Sequence, residues 1–291
     1  MRPARLATLT AVTMGAFAAN SVLCRLALST TEIDPATFTL VRLASGAGAL
    51  AAIAAIGQGP RMRRAGNWRA AIALFAYAAA FSFAYVRLTT GTGALLLFGA
   101  VQLTMIGYGI ARGERLAPLG VAGAAIAAAG LVVLVAPGIA APAPAAAALM
   151  LLAGAAWGAY SIRGRGSQHP VTDTAGNFLR ALPLGVALAA VCWAGAGVDV
   201  AGAGYAVLSG ALASGVGYAV WYAVLPHMPA SSAAVVQLSV PVIAAAAGVL
   251  VLGEALTTRL VVASVVTLGG VWMALGGRAV TTRTETGSRR A

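Results

Sequence analysis

The sequence predicts an all-α membrane protein: ten transmembrane helices, arranged as two inverted five-helix repeats. Three observations predict it. Hydrophobic residues make up 60% of the 291 and charged residues only 9%, against a charged share of about 25% in soluble domains. Ten apolar runs approach the length of about 20 residues that a bilayer demands of a helix, and short turn-rich or charged stretches separate them. A segment that begins at Gly113-Glu114, GERLAPLGVAGAAIAAAGLVVL, returns 140 residues later from Gly253-Glu254 as GEALTTRLVVASVVTLGGVWMAL. So few charges cannot clothe a water-facing exterior. A duplicated apolar chain of this layout points to a transporter built from two homologous halves.

Taken in order, the runs cover 6–28, 36–56, 69–88, 92–111, 117–136, 146–163, 173–194, 203–225, 231–252 and 259–277. The opening MRPAR before an apolar stretch has the outline of a signal peptide. The run continues past Asn20 to Leu28, however, and a related segment opens the second half, so a retained first helix is expected. The separators GQGPRMRRAGN, RGERLAP, PGIAAPAPA and RGRGSQHP carry Gly, Pro and charge. No long alternating pattern suggests strands, and in hydrocarbon the backbone must satisfy itself, which leaves helices rather than a barrel.

Arginine placement predicts orientation. With the amino end inside, the cytoplasmic stretches hold Arg2, Arg5, Arg61, Arg63, Arg64, Arg69, Arg112, Arg115, Arg163, Arg165, Arg278, Arg283, Arg289 and Arg290. The outer ends hold Arg87 and Arg259. Fourteen against two follows the positive-inside bias, so both termini are expected in the cytoplasm and the chain in the cytoplasmic membrane. The domains expected are 1–137, 145–277 and a disordered cytoplasmic tail over 278–291, rich in Thr, Ser and Arg.

The net charge of +12 comes from 19 arginines with no lysine. They are scattered between apolar runs and form no basic face, so no nucleic-acid partner is expected. Cys24 and Cys192 lie in apolar runs without a ligand set; free thiols, no metal and no cofactor are expected. The partners expected are a small-molecule substrate and the bilayer, with a homodimer left open.

The repeat extends beyond Gly-Glu. LVRLASGAGALAAI from Leu40 parallels FLRALPLGVALAAV from Phe178, which aligns Arg42 with Arg180. Met14-Gly15-Ala16-Phe17 lies opposite Trp157-Gly158-Ala159-Tyr160, and Gly130 opposite Gly270. Five spans per half is an odd number, so the second half would enter from the opposite side.

These features resemble the EamA type of the drug/metabolite transporter superfamily over approximately 6–277. Its pattern is carried by Trp157-Gly158, by Arg42 and Arg180, and by WYAVLPHMPASSAAVVQLSVPVIAAAAGVLVLGEAL from Trp221. Within that stretch Tyr222, Ala230, Ser231, Pro241, Gly253 and Glu254 match. The first half departs, with Met14 where Trp is usual and Val101-Gln102 where Pro is expected. The resemblance implies movement of a small organic solute, commonly export of a metabolite.

Arg42 and Arg180 each lie about two turns, roughly 10 Å, inside their spans. A charge there costs about 2.5–3.5 kcal/mol on insertion scales. They read either as cations that draw an anionic group into the pathway or as structural ties between helix ends. Glu114 and Glu254 sit at span ends beside Arg112, Arg115 and Arg259, and read first as turn anchors, then as proton carriers. No carboxylate lies mid-span, which favours exchange or uniport over proton coupling. The polar and aromatic candidates for substrate contact are Asn20, Ser21, Tyr77, Ser82, Tyr85 and Gln102 in the first half. In the second they are Trp157, Tyr160, Asn177, Tyr218, Trp221, Tyr222, Gln237 and Ser239. Each is equally compatible with helix packing or an interfacial belt. Pro183 and Pro241 are candidate kinks and gates.

The function expected is a secondary transporter, and an exporter, of a small organic metabolite such as an amino-acid-like compound, working by alternating access. No P-loop motif is present, and no enzyme is expected. The rival readings are a non-transporting scaffold or accessory subunit, and an intramembrane enzyme on lipid-linked substrates.

Overall fold

The computed structural model describes residues 1–58, 65–195 and 197–276. Arg61, Arg63, Arg64, Arg278, Arg283, Arg289, Arg290 and the tail 278–291 lie outside the described residues. Among the described residues, ten spans are helical, long and apolar enough to cross a membrane, and no strand occurs. We label them α1 (Pro3–Thr30), α2 (Pro35–Gln58), α3 (Trp68–Tyr85), α4 (Thr90–Ala111) and α5 (Pro118–Val135). The second five are α6 (Pro144–Gly164), α7 (Pro170–Val191), α8 (Val200–His227), the bipartite α9 (Ala230–Gln237 and Ser239–Leu252) and α10 (Thr258–Gly276).

Five spans open on proline, and four of them (α1, α2, α6 and α7) start one to three residues before their apolar runs. Pro3, Pro35, Pro118, Pro144 and Pro170 are the first residues of α1, α2, α5, α6 and α7. Proline fits there because its missing N–H would have no partner and its φ is already helical. The polar caps do related work. Asp34 Oδ1 accepts from Ala36 N and Thr37 N at 2.9 and 3.0 Å, Asn67 Oδ1 from Ala70 N at 2.9 Å, and Asp199 Oδ1 from Gly202 N at 3.0 Å.

The Gly-Glu pair is a helix stop in both copies. Gly113 has φ 88° and Gly253 φ 65°, left-handed conformations that suit a residue without Cβ. Each glutamate then folds back on the helix it leaves: Glu114 N donates to Gly109 O at 2.9 Å and Glu254 N to Gly248 O at 3.2 Å.

Proline affects the two kink candidates differently. α7 runs unbroken through Pro183, which is exposed. α9 breaks at Leu238, three residues before Pro241. A helix through this point would need the 241 amide to reach the carbonyl of Gln237, and proline has none. α8 changes winding instead, with α-helix over Val200–Val207, a π segment over Leu208–Val216 and α-helix again over Gly217–Val224.

Packing crosses between the halves. α2 lies against α7, α4 against α9, α5 against α10, α3 against α6, and α1 against α8 and α9. Swapping the halves turns α3–α6 into α8–α1 and α4–α6 into α9–α1, and all of these contacts occur. That agrees with inverted repeats. The α5–α10 crossing is close: a Cβ on Gly123 would stand 2.6 Å from Gly270 O, and one on Gly270 2.7 Å from Gly123 O. Small residues of this kind let helix backbones approach in lipid. The outer surface is apolar, with Leu119, Val121 and Val132 on α5, Leu250 and Val251 on α9, and Val265 and Trp272 on α10 exposed. Cys24 and Cys192 are free thiols.

Candidate functional site

The centre of the bundle is organised around Arg42. Its side chain is 1% exposed. Nη2 donates to the Tyr77 hydroxyl at 2.7 Å. The guanidinium stands over the rings of Tyr77 and Phe81, 5.0 and 4.9 Å from their centroids. Nη1 has no hydrogen-bond partner. The one ion pair among the described residues joins Arg25 and Glu254, so Arg42 has no acidic partner there. Each cation–π contact contributes about 0.5–2 kcal/mol, and a hydrogen bond from a charged donor about 1.5–3 kcal/mol. Together they match the insertion cost of about 2.5–3.5 kcal/mol without neutralising the charge.

Tyr77 also accepts from Asn20 Nδ2 at 3.2 Å, and Asn20 Oδ1 accepts from Ser209 Oγ at 2.6 Å. This chain links α2, α3, α1 and α8. Ser209 belongs to the π segment, whose Gly210 lies against the Arg42 carbonyl and Ser45 of α2. π turns often mark functional positions, and nothing in the sequence signals this one. A cavity of about 20 Å³ adjoins the cluster, lined by Phe17, Asn20, Ser21, Tyr77, Phe81, Leu97, Phe98, Trp157, Ala213 and Tyr218. That is room for about one water, so the site is occluded.

A second polar cluster lies towards the end of the bundle that carries the starts of α3 and α7, hereafter the N-terminal end. There Tyr160 donates to Thr174 Oγ1 at 3.2 Å, Thr174 Oγ1 and Tyr222 Oη are 3.1 Å apart, and Asn177 Nδ2 donates to Tyr160 Oη at 3.4 Å. Asn177 Oδ1 accepts from Asn67 N at 2.9 Å, and Asp173 takes Gly66 N at 3.1 Å and Ser167 Oγ at 2.6 Å. These residues, with Arg163, line a cavity of about 160 Å³. Three rings separate it from the centre: Trp157 stacks on Tyr160 and on Tyr218, each at 5.2 Å and 25°.

Arg180 belongs to neither cavity wall. Nη1 donates to the carbonyls of Ala65 and Gly176, the latter at 3.0 Å, and so ties α7 to the entry of α3. The two repeat-related arginines therefore have unlike surroundings.

The opposite, far end is closed by charge. Arg25 Nε pairs with Glu254 Oε1 at 3.3 Å, and Arg25 Nη1 donates to Tyr85 O and Val86 O at 2.9 and 3.1 Å. Glu254 Oε2 accepts from Thr90 N at 2.8 Å, at the start of α4. The partner of Glu254 is thus Arg25, not neighbouring Arg259, which donates instead to carbonyls of Val133, Leu134 and Ala136 at the end of α5. Glu114 is exposed. Arg25 sits in a span and carries charge, a signal that sequence reading could have used.

The remaining candidates disperse. Ser82 accepts from Thr39 Oγ1 at 2.9 Å and joins α2 to α3. Tyr85 donates to Thr90 O at 3.3 Å near the far end. Gln102 is buried on α4. Trp221 packs edge-on to Phe17 at 6.0 Å. Gln237 is half-buried beside the break in α9, where Ser239 Oγ donates to Val236 O at 2.7 Å. Sequence reading missed Phe17, Phe81, Thr174 and Asp173, which carry ordinary apolar or helix-end patterns.

Among the described residues no group of His, Cys, Asp and Glu could hold a metal. The EamA-like transporter family matches residues 144–276. The chain is 52% identical over 270 residues to Uncharacterized protein PA1977 of Pseudomonas aeruginosa, covering 93% of this chain and 94% of that one. A solved crystal structure shares the fold at a TM-score of 0.65, with 20% identity, 95% of this chain and 99% of its own covered. With ten membrane-length helices around an occluded polar centre, the chain belongs to the EamA-like transporters of the drug/metabolite transporter superfamily.

Proposed function

We propose that the protein is a secondary transporter that exports a small organic metabolite across the cytoplasmic membrane by alternating access. The observation that supports this most is the occluded polar cluster, Arg42–Tyr77–Asn20–Ser209, contributed by spans of both halves. The repeats are 1–137 and 145–277, related by a pseudo-two-fold axis in the membrane plane. The N-terminal end faces the cytoplasm, in keeping with Arg2, Arg5, Arg69, Arg112, Arg115, Arg163 and Arg165 at span ends there. Parting of the Tyr160–Trp157–Tyr218 stack would join the cavity of about 160 Å³ to the centre while the Arg25–Glu254 end stays shut. Exchange or uniport fits best, since no carboxylate lines the centre. Members of the family are transporters, which fits a chain that is not an enzyme.

Two measurements test this reading. Proteoliposomes holding the full chain should exchange at least one component of a mixed metabolite pool that empty vesicles retain. Cells overproducing the protein should release that component into the medium, and deletion cells should not. Retention of the whole pool by the vesicles would favour the scaffold reading.

A further inference from the structure

We propose that the central site takes a small organic anion, a carboxylate or like-charged group on an apolar or aromatic body, with the Arg42 guanidinium as its counter-ion. The inference rests on the transporter reading and narrows its substrate class.

Three observations carry it. Arg42 is 1% exposed and has no acidic partner among the described residues, so its charge is held by a phenol and two ring faces. Removal of a charge from water is expensive unless it is paired, and an arriving anion supplies the missing pair. Nη1 is a buried donor without an acceptor. A guanidinium in this state offers a charge-assisted hydrogen bond to a carboxylate oxygen. The rings under the guanidinium, Tyr77 and Phe81, also line the cavity beside it.

The same wall argues against cations and zwitterions. No Asp or Glu lines the central cavity. Asn20 Oδ1, the amide acceptor there, is already taken by Ser209. An ammonium group would meet a fixed positive charge and no free anion. The body of the solute would meet Phe17, Phe81, Trp157 and Tyr218, an apolar and aromatic lining.

The repeat sharpens the point. Arg180 occupies the matching place in the second half, yet its Nη1 is committed to two carbonyls. One cation remains for the solute, so a monoanion is the matching charge.

The experiment uses the full chain in nanodiscs of neutral lipid and titrates benzoate, benzamide and benzylamine by calorimetry. The three probes share a ring and differ in charge. Benzoate should bind saturably, with benzamide and benzylamine at least about tenfold weaker, the scale of one charge-assisted hydrogen bond. Arg42→Gln should weaken benzoate by at least about tenfold and Arg42→Lys by less. The wild-type probe series stands alone if the variants do not fold. Equal binding of all three probes, no benzoate binding, or benzoate binding untouched in a folded Arg42→Gln variant would overturn the proposal. Failure of the transporter reading is separate: benzoate binds through Arg42, yet vesicles move no solute. Vesicles that carry neutral or cationic solutes without competition from benzoate would sink this proposal and leave the transporter reading in place.

Discussion

At the far end, an ion pair, the start of α4 and three backbone carbonyls hold the halves together through Arg25, Glu254 and Arg259. At the N-terminal end the halves are joined by an amide, one carboxylate and Arg180 on the backbone of residues 65–67, beside a hydroxyl cluster of the second half and a cavity of about 160 Å³. Equivalent places in the repeat are thus closed by different chemistry. Glu254 and Glu114 follow left-handed glycines in the same way, but among the described residues only Glu254 has a cation from another span. The difference teaches that near-symmetry of backbone does not impose symmetry of energy. In the alternating-access proposal, one end would keep its latch while the other parts.

The largest expected effect comes from breaking the charged end. Glu254→Gln leaves Arg25, whose side chain is 21% exposed, without its counter-ion and weakens the contact to Thr90 N. The expected loss is about 2–3 kcal/mol in that state, since hydrogen bonds involving charge contribute about 1.5–3 kcal/mol each and solvent moderates a partly exposed pair. Glu114→Gln, the control at the other end, should stay within about 0.5 kcal/mol as an exposed substitution. Thermal unfolding of both variants measures the contrast. The mechanistic readout is a thiol at Ser21 in a Cys24→Ala, Cys192→Ala background. With Glu254→Gln it should react faster with a membrane-impermeant reagent from the far side. Equal stability loss in both glutamate variants would remove the asymmetry.

Sequence reading reaches the spans and their number, because each rests on composition or spacing over many residues. It places Gly-Glu correctly as a landmark, and the structure supplies the cause: a left-handed stop followed by a fold-back. It sets four helix starts one to three residues late because proline looks like loop, although Pro3, Pro35, Pro144 and Pro170 are first-turn residues. The polar wiring is a different matter. Arg42 and Arg180 have matching sequence surroundings, and only the approach of Ala65 distinguishes them. Glu254 finds Arg25 229 positions away, past the nearer Arg259. Ser209 reaches Asn20 from a π segment that carries no compositional mark. Contacts of long separation depend on packing that no local pattern encodes.

The next effect, a smaller one, separates the two repeat-related arginines. Arg180→Gln removes a charged donor from two carbonyls at the N-terminal end, with an expected loss of about 1.5 kcal/mol. It should shift thermal stability and leave benzoate affinity within about twofold, because its Nη1 is already committed to two carbonyls, whereas Arg42 Nη1 is free. Arg42→Gln should do the reverse and cut affinity by at least about tenfold. A matched loss of affinity in both variants would restore the paired-cation reading and weaken the contrast between the ends.

The smallest effect sharpens the comparison most directly, because it touches the uncharged hydroxyl cluster alone. Tyr160→Phe keeps the ring that stacks on Trp157 and deletes the hydroxyl that bonds Thr174 and Asn177. A neutral hydrogen bond contributes about 0.5–1.5 kcal/mol net, so stability should fall by no more than about 1 kcal/mol. The Asn177 Oδ1 contact to Asn67 N survives, and so do the Asp173 contacts. If this joint is the one that opens, its weakening raises the population of the open state by up to about fivefold, the equivalent of 1 kcal/mol. The Ser21 thiol should then react faster from the N-terminal side, with no change from the far side. Acceleration from the far side instead would mean that the ring stack, not the ion pair, governs both ends.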